Sequence, residues 1–273
     1  MKQHQRVVHI GNRQRTVRWI GKGSKADKSV RQGGTLLLKP DEWCDLSEIK
    51  GHDPDVLYSP TIEKAFSAVV RNWKPRLPVA LVSLCTATRP YTASRKWSKY
   101  VKALGPYADL IVHSNGGIIP LDYEDQFPFL NYDAHGEAKY DDMYVEVGIE
   151  RMKRFFKAHP YRFVVFNFRH NMRNRRVSDV VGPWLVEQGL SEECIALPTQ
   201  AQYERSQAEN FRAAGYSMYP ELWRTMYDPL VLQVKDYARR AAGGRGNKDV
   251  AGAGATRDSA AEAPARKRRT VRS

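Results

Sequence analysis

Four short apolar runs alternate with amphipathic stretches, and no other feature of this chain constrains its fold as strongly. The runs are Pro78-Val79-Ala80-Leu81-Val82-Ser83, Ala108-Asp109-Leu110-Ile111-Val112, Arg162-Phe163-Val164-Val165-Phe166-Asn167-Phe168 and Cys194-Ile195-Ala196-Leu197. Each has the length and the β-branched or aromatic content of a buried strand. Before the first run, Ser59-Pro60 opens a helix that places Ile62, Phe66, Val69, Val70 and Trp73 on one face. Ser94 then caps a helix reaching about Leu104, with Trp97, Val101 and Leu104 as its apolar stripe. Residues 141–157 turn Val145, Ile149, Met152 and Phe156 inward, and residues 177–188 form a helix that Gly189 ends. Strands alternating with helices predict a Rossmann-like α/β domain, a parallel sheet with helices on both faces.

The 273 residues suffice for one domain with additions. Residues 1–58 read as a basic N-terminal extension with a β-hairpin over 6–20, turning at Gly11-Asn12. Residues 59–241 read as the α/β catalytic domain, closed by helices over 201–214 and 219–241 that break at Gly215. Residues 242–273, rich in Ala, Gly and Arg, read as a disordered basic tail with no apolar side to bury. The net charge of +14 is concentrated at the ends. Residues 1–40 hold ten Lys and Arg against one acid, and residues 239–273 hold ten against three, whereas 41–238 hold 24 against 26. Basic ends around a near-neutral core point to a polyanionic partner, bound through counterion release. No run approaches the roughly 20 apolar residues of a membrane helix, and the N-terminus lacks the apolar stretch of a signal peptide. Three widely spaced cysteines, Cys44, Cys85 and Cys194, suit a reducing compartment and have no zinc spacing. The expectation is a cytoplasmic protein with no membrane association, no metal and no cofactor.

Directly after the first strand comes Leu84-Cys85-Thr86-Ala87-Thr88-Arg89-Pro90-Tyr91-Thr92-Ala93-Ser94-Arg95-Lys96-Trp97. Open α/β sheets bind ligands at the carboxyl ends of their strands. Cys85 reads two ways, as a small core residue ending the strand or as a nucleophile. Arg89 and a nearby helix start both favour thiolate. The second strand leads into His113-Ser114-Asn115-Gly116-Gly117, whose glycines let backbone amides approach a ligand. Asp122, Glu124 and Asp133 follow in an aromatic, Pro-containing segment over 118–140, too long for a simple connection. After the third strand, Arg169, Arg173, Arg175 and Arg176 cluster where a helix would normally begin with acids. They are candidates for nucleic-acid backbone contact.

The first block resembles the core motif of the archaeosine synthase family, PC-x3-KPY-x2-S-x2-H. Cys85, Pro90, Tyr91 and Ser94 match it, while Leu84, Arg89 and Trp97 replace proline, lysine and histidine. A second block is also similar, running from His113 through Ile118-Ile119-Pro120, Asp122-Tyr123-Glu124 and Phe127-Pro128 to Asn131-Tyr132-Asp133. The resemblance covers roughly residues 78–200. It implies modification of a 7-deazaguanine base, specifically nitrile-to-amidine chemistry on 7-cyano-7-deazaguanine, within DNA or tRNA and with an amine donor. It places Cys85, Arg89, Ser94 and Asp122 in catalytic roles. Tyr91, His113, Asn115, Gly116, Gly117, Glu124 and Asp133 would then meet the base, the carboxylates accepting from its ring N–H and amino donors. An arginine at position 89 keeps the charge of the family's lysine but not its amine, and Trp97 removes a titratable group. A compact chain with arginine-rich ends would suit a viral or mobile-element DNA-modification system.

Two other readings stay open. One is a guanine transglycosylase or deoxynucleoside glycosidase that uses Asp109, Asp122 or Asp133 against C1′. The other is a non-catalytic basic nucleic-acid-binding protein on the same scaffold.

Overall fold

The computed structural model describes residues 4–10, 13–19, 37–170, 172–212 and 224–246. In chain order, β1 (His4–Ile10) and β2 (Arg13–Trp19) form an antiparallel pair. Next come β3 (Lys50–His52), α1 (Asp53–Leu57), α2 (Pro60–Asn72) and β4 (Val79–Leu84). They are followed by α3 (Arg95–Leu104), β5 (Asp109–Ser114), β6 (Gly117–Pro120) and β7 (Asp133–His135). The rest comprises α4 (Asp141–Ala158), β8 (Phe163–Asn167), α5 (Arg173–Glu187), β9 (Glu193–Leu197), α6 (Gln200–Arg212) and α7 (Arg224–Gly246).

The central sheet has the order β6-β5-β4-β8-β9. Every pairing is parallel except β5 with β6. All four apolar runs of the sequence lie in this sheet, which is the expected mixed α/β architecture. β4, β5 and β8 are buried along their whole length, because helices cover both faces. α3 and α7 lie on one face, and α2, α4 and α5 on the other. Side chains alternate across β8 accordingly. Phe163 stacks on Tyr237 of α7 at 4.6 Å, and Phe166 meets Phe156 of α4 at 6.3 Å.

Three departures from the sequence reading have physical causes. The segment 118–140 reads as irregular from its sequence. Instead, Gly117 takes φ +105° and turns the chain back so that Ile118 and Ile119 pair with His113 and Val112. α5 starts at Arg173 rather than 177, since acids from other elements neutralise the cations in its first turn. The segment after β6 adds a parallel pair, β3 with β7, matching Lys50 to Asp133 and His52 to His135. The expected hairpin turn at Gly11-Asn12, the helix break at Gly215 and the tail beyond 246 lie outside the described residues. No helix among the described residues is long and apolar enough to cross a membrane.

The register sets where a ligand can meet the sheet. Leu84 pairs with His113, Ser83 with Asn167, and Asn167 with Leu197, so four strands end at one level. From β4 the chain steps one way to β5 and β6, and it later fills the other side with β8 and β9. The strand order therefore reverses between β4 and β8, the position where open α/β sheets leave a crevice.

Gly117→Ala should destabilise the fold by about 1–3 kcal/mol through its backbone conformation. The added methyl would meet Phe66 only at an ordinary 3.4 Å. Urea unfolding followed by tryptophan fluorescence checks this, and an unchanged midpoint would show that the β5–β6 turn does not need glycine.

Candidate functional site

Cys85 is the first residue past β4. Its amide donates to the carbonyl of His113 at 3.1 Å, so the sheet ladder continues into the loop. The thiol is half-buried and lies within electrostatic reach of Arg89, Tyr91 and Tyr144. The Arg89 guanidinium lies over the Tyr132 ring at 4.1 Å and 5.8 Å from the Tyr91 ring. Such cation–π contacts strengthen when desolvated, and the Nε of Arg89 is buried without a hydrogen-bond partner. The hydroxyls of Tyr91 and Tyr132 lie 2.7 Å apart, and both residues are buried. Burial first, then the neighbouring Tyr132, push the Tyr91 phenol well above its ordinary range, so it stays protonated. Gly116 makes the Tyr132 position possible, because a methyl there would approach the ring to 2.9 Å.

The loop from Cys85 to Ser94 is fastened at both ends. Both oxygens of the buried Glu124 carboxylate accept from Thr92, from its amide at 2.9 Å and its hydroxyl at 2.5 Å. Ser94 caps α3 by accepting from the Trp97 amide at 3.3 Å. The first turn of α3 then reaches back to the strand. Lys96 Nζ donates to the Leu84 carbonyl at 2.7 Å, and Trp97 Nε1 donates to the same oxygen at 3.2 Å. Trp97 thus holds the peptide just before Cys85.

A second network binds β5, α1, α4 and α5 at the same edge. Asp53, wholly buried, accepts from the Asn115 amide and from the guanidinium of Arg173. Arg173 also reaches Asp141 at 3.1 Å and lies 3.8 Å over the Tyr144 ring. Arg151 donates to the carbonyls of Leu57 at 2.6 Å and Asn115 at 3.2 Å. Asn174 Nδ2 donates to the Tyr144 hydroxyl at 2.6 Å and contacts His113 Nδ1 at 3.0 Å. Burial, with the Arg151 and Arg173 cations nearby, lowers the His113 pKa from 6.5 to about 3, so the ring is neutral at physiological pH.

The structure therefore gathers Cys85, Arg89, Tyr91, His113, Asn115, Gly116 and the start of α5 at the carboxyl edge of the sheet. It does not bring Asp122 there. Asp122 pairs with Arg76 at 2.7 Å, and Asp109 accepts from the amides of Arg76 and Leu77 at 2.8 and 3.2 Å. Both acids lie at the amino edge. Burial raises the Asp109 pKa, against the opposing effect of those hydrogen bonds. Asp133 sits in β7, opposite Lys50. Gly117 serves the β5–β6 turn. Among the arginines, Arg169 follows β8 at the carboxyl edge. Arg175 pairs with Asp179 and the Pro198 carbonyl, both at 2.8 Å, and Arg176 pairs with Asp142 at 2.7 Å. Among the described residues no group of three His, Cys, Asp or Glu side chains could hold a metal.

The sequence reading missed Asp53, Lys96, Tyr144, Arg151 and Asn174. Asp53 has the local signature of any first-turn acid before a proline. Lys96 looks like one more cation on a basic helix. Only their burial distinguishes them.

A family model described as a domain of unknown function, DUF5591, matches residues 62–186, from α2 into α5. The alpha subunit of archaeosine synthase from Methanosarcina acetivorans is 28% identical over 114 residues, 40% of this chain and 18% of that protein. The same subunit from Thermoplasma acidophilum is 32% identical over 90 residues, 31% of this chain and 18% of that protein. This chain is a distant relative of that subunit over part of its length. Each match spans 18% of the relative. A crystal structure of AF0587, a protein of unknown function, aligns with a TM-score of 0.38 at 17% identity, covering 56% of this chain and 50% of that one.

Two substitutions test the second network. Arg173→Met leaves the buried Asp53 carboxylate uncompensated and should cost about 3–5 kcal/mol in urea unfolding. The pair Asp53→Leu/Arg173→Met, which removes both charges, should cost less than the single change. A single variant as stable as the parent would mean that the pair does not hold this edge together. His113 generates a pH signature. Its folded pKa lies below its unfolded value, so the unfolded chain binds a proton that the folded protein refuses. Its contribution to stability is full above pH 6.5 and drains away as the pH falls toward about 3, at up to about 1.4 kcal/mol per pH unit. His113→Gln should flatten the stability–pH slope between pH 6 and 4 by about one proton. Parallel slopes for the two proteins would contradict a buried neutral imidazole.

Proposed function

We propose that this protein modifies a 7-deazaguanine base carried in a nucleic acid, with Cys85 as the nucleophile. The observation that carries the reading is the position of Cys85. It lies at the end of the central strand, beside the reversal of strand order, with a half-buried thiol next to Arg89 and the Tyr91–Tyr132 pair. The distant relationship to archaeosine synthase alpha subunits supports the same choice of substrate.

In the proposed reaction the Cys85 thiolate adds to the nitrile carbon of 7-cyano-7-deazaguanine. A C–S bond forms, one π bond of the nitrile breaks, and its nitrogen takes a proton from water to give a thioimidate. A primary amine then adds to the same carbon and loses a proton. The tetrahedral adduct collapses with cleavage of the C–S bond, which returns the thiolate and leaves an amidine. The net change is addition of the amine across the nitrile, without oxidation or reduction. Arg89 supplies a fixed positive charge to the attacking sulfur and the developing anion. The aromatic faces of Tyr91 and Tyr132 wall the loop that carries Cys85. Glu124, Ser94, Lys96 and Trp97 act as positioning residues that hold that loop. The alternative in which Asp109, Asp122 or Asp133 attacks C1′ has less support, because the first two are engaged by Arg76 at the opposite edge and the third lies in the β3–β7 pair.

Cys85→Ala should abolish formation of the modified nucleoside while leaving the thermal midpoint nearly unchanged, since the thiol is half-buried and the replacement is small. Mass spectrometry of nucleosides digested from cells expressing each protein reads the outcome. Modification at the parent level by the alanine variant would sink the nucleophile assignment.

A further inference from the structure

The two helical layers that sandwich the sheet carry different charge. α3 and α7 together hold nine Lys and Arg against two acids, whereas α2, α4 and α5 hold nine against seven. On α5 the cations are consumed internally, Arg173 by Asp53 and Asp141, Arg175 by Asp179, and Arg176 by Asp142. α3 contains no acid at all. Its cations at 95, 99 and 102 are spaced i, i+4, i+7, so they form one exposed stripe. Among the described residues neither Arg95 nor Lys102 meets a carboxylate, and Lys99 lies over the Tyr227 ring at 4.0 Å. Of the two acids on α7, Asp236 is already paired with Arg239 and Arg240. Arg95 stands in the first turn of α3, where a cation opposes the helix dipole, so folding stability does not explain it.

The stripe begins at the site. Lys96 and Trp97 fasten the first turn of α3 to the carbonyl preceding Cys85, and Arg95 adjoins that anchor. From there α3 runs antiparallel to β4, so Lys99 and Lys102 lead away from Cys85 along the outer face.

We propose that the exposed face of α3, through Arg95, Lys99 and Lys102, is the track that carries the sugar–phosphate backbone of the substrate nucleic acid next to Cys85. This rests on the reading that the base is modified within a polynucleotide. Charge complementarity selects the partner: regularly spaced, unneutralised cations match the repeating phosphates of a strand.

The test measures binding rather than chemistry. A fluorescein-labelled single-stranded oligonucleotide, as DNA and as RNA, is titrated with the full chain by anisotropy between about 50 and 200 mM salt. Each phosphate contact on a single strand contributes about 0.7 to the slope of log affinity against log salt. Arg95→Gln/Lys102→Gln should therefore flatten the slope by about 1.4, so that the parent loses about sevenfold more affinity over that range. Arg176→Gln, on the opposite layer, should keep the parent slope. An unchanged slope in the double variant would overturn the α3 track and leave the proposed function intact. A parent protein that binds neither oligonucleotide would overturn both. Tighter binding to vesicles containing phosphatidylserine than to either oligonucleotide, with the same loss in the double variant, would assign the stripe to a lipid surface and refute the proposal.

Discussion

The buried ion pair between Asp53 and Arg173 ties together segments that are distant in sequence. Asp53 is fully buried, and its carboxylate also accepts from Asn115. An isolated charge in that position would carry a desolvation penalty of several kcal/mol, so the arginine must be delivered with accurate geometry. Delivering it fixes the start of α5, the approach of α1 and the conformation of the β5–β6 turn. Asp141 and Tyr144 complete the environment of Arg173 from α4. The carboxyl edge of the sheet is therefore a locked arrangement of four elements around one charge pair. The loop bearing Cys85 is built against its rim.

That loop follows a different logic. Its residues are held by hydrogen bonds to neutral backbone groups and by aromatic contacts. Glu124 grips Thr92, Tyr91 meets Tyr132, and Lys96 and Trp97 share the Leu84 carbonyl. Arg89 is desolvated between tyrosines rather than paired with a carboxylate. A guanidinium so placed keeps its charge available to a ligand, which an arginine–carboxylate pair does not. The contrast with Arg173 separates two uses of the same residue type at one sheet edge. One arginine stabilises the framework, and the other lies beside Cys85.

The same distinction explains the arginine run after β8. In the sequence, Arg173, Arg175 and Arg176 form a cationic cluster at a strand end, the usual signature of phosphate binding. In the structure, acids from α1, α4 and α5 neutralise them. The excess positive charge of the folded domain instead lies on α3 and α7, where the basic residues are spread through two amphipathic helices. Linear density of charge is a poor guide to surface potential when the neutralising acids come from elsewhere in the chain.

The sequence by itself determined the four apolar strands of the sheet, the helices that flank them and the edge at which Cys85 follows β4. Burial of β4, β5 and β8 on both faces leaves a continuous apolar run, and the helices show a period that matches their buried face. Chain order then puts Cys85, His113 and Arg169 at the carboxyl ends of parallel strands. The short β6 escaped notice because a positive φ at Gly117, rather than any hydrophobic pattern, makes it. Tertiary structure alone decided which polar residues meet. Asp53 and Arg173 are 120 positions apart, and Asp122 is drawn to the far edge by Arg76. Local patterns encode which face of an element is buried. Pairing of charges and hydrogen-bonding groups depends on distances across the fold, which no local window of sequence contains.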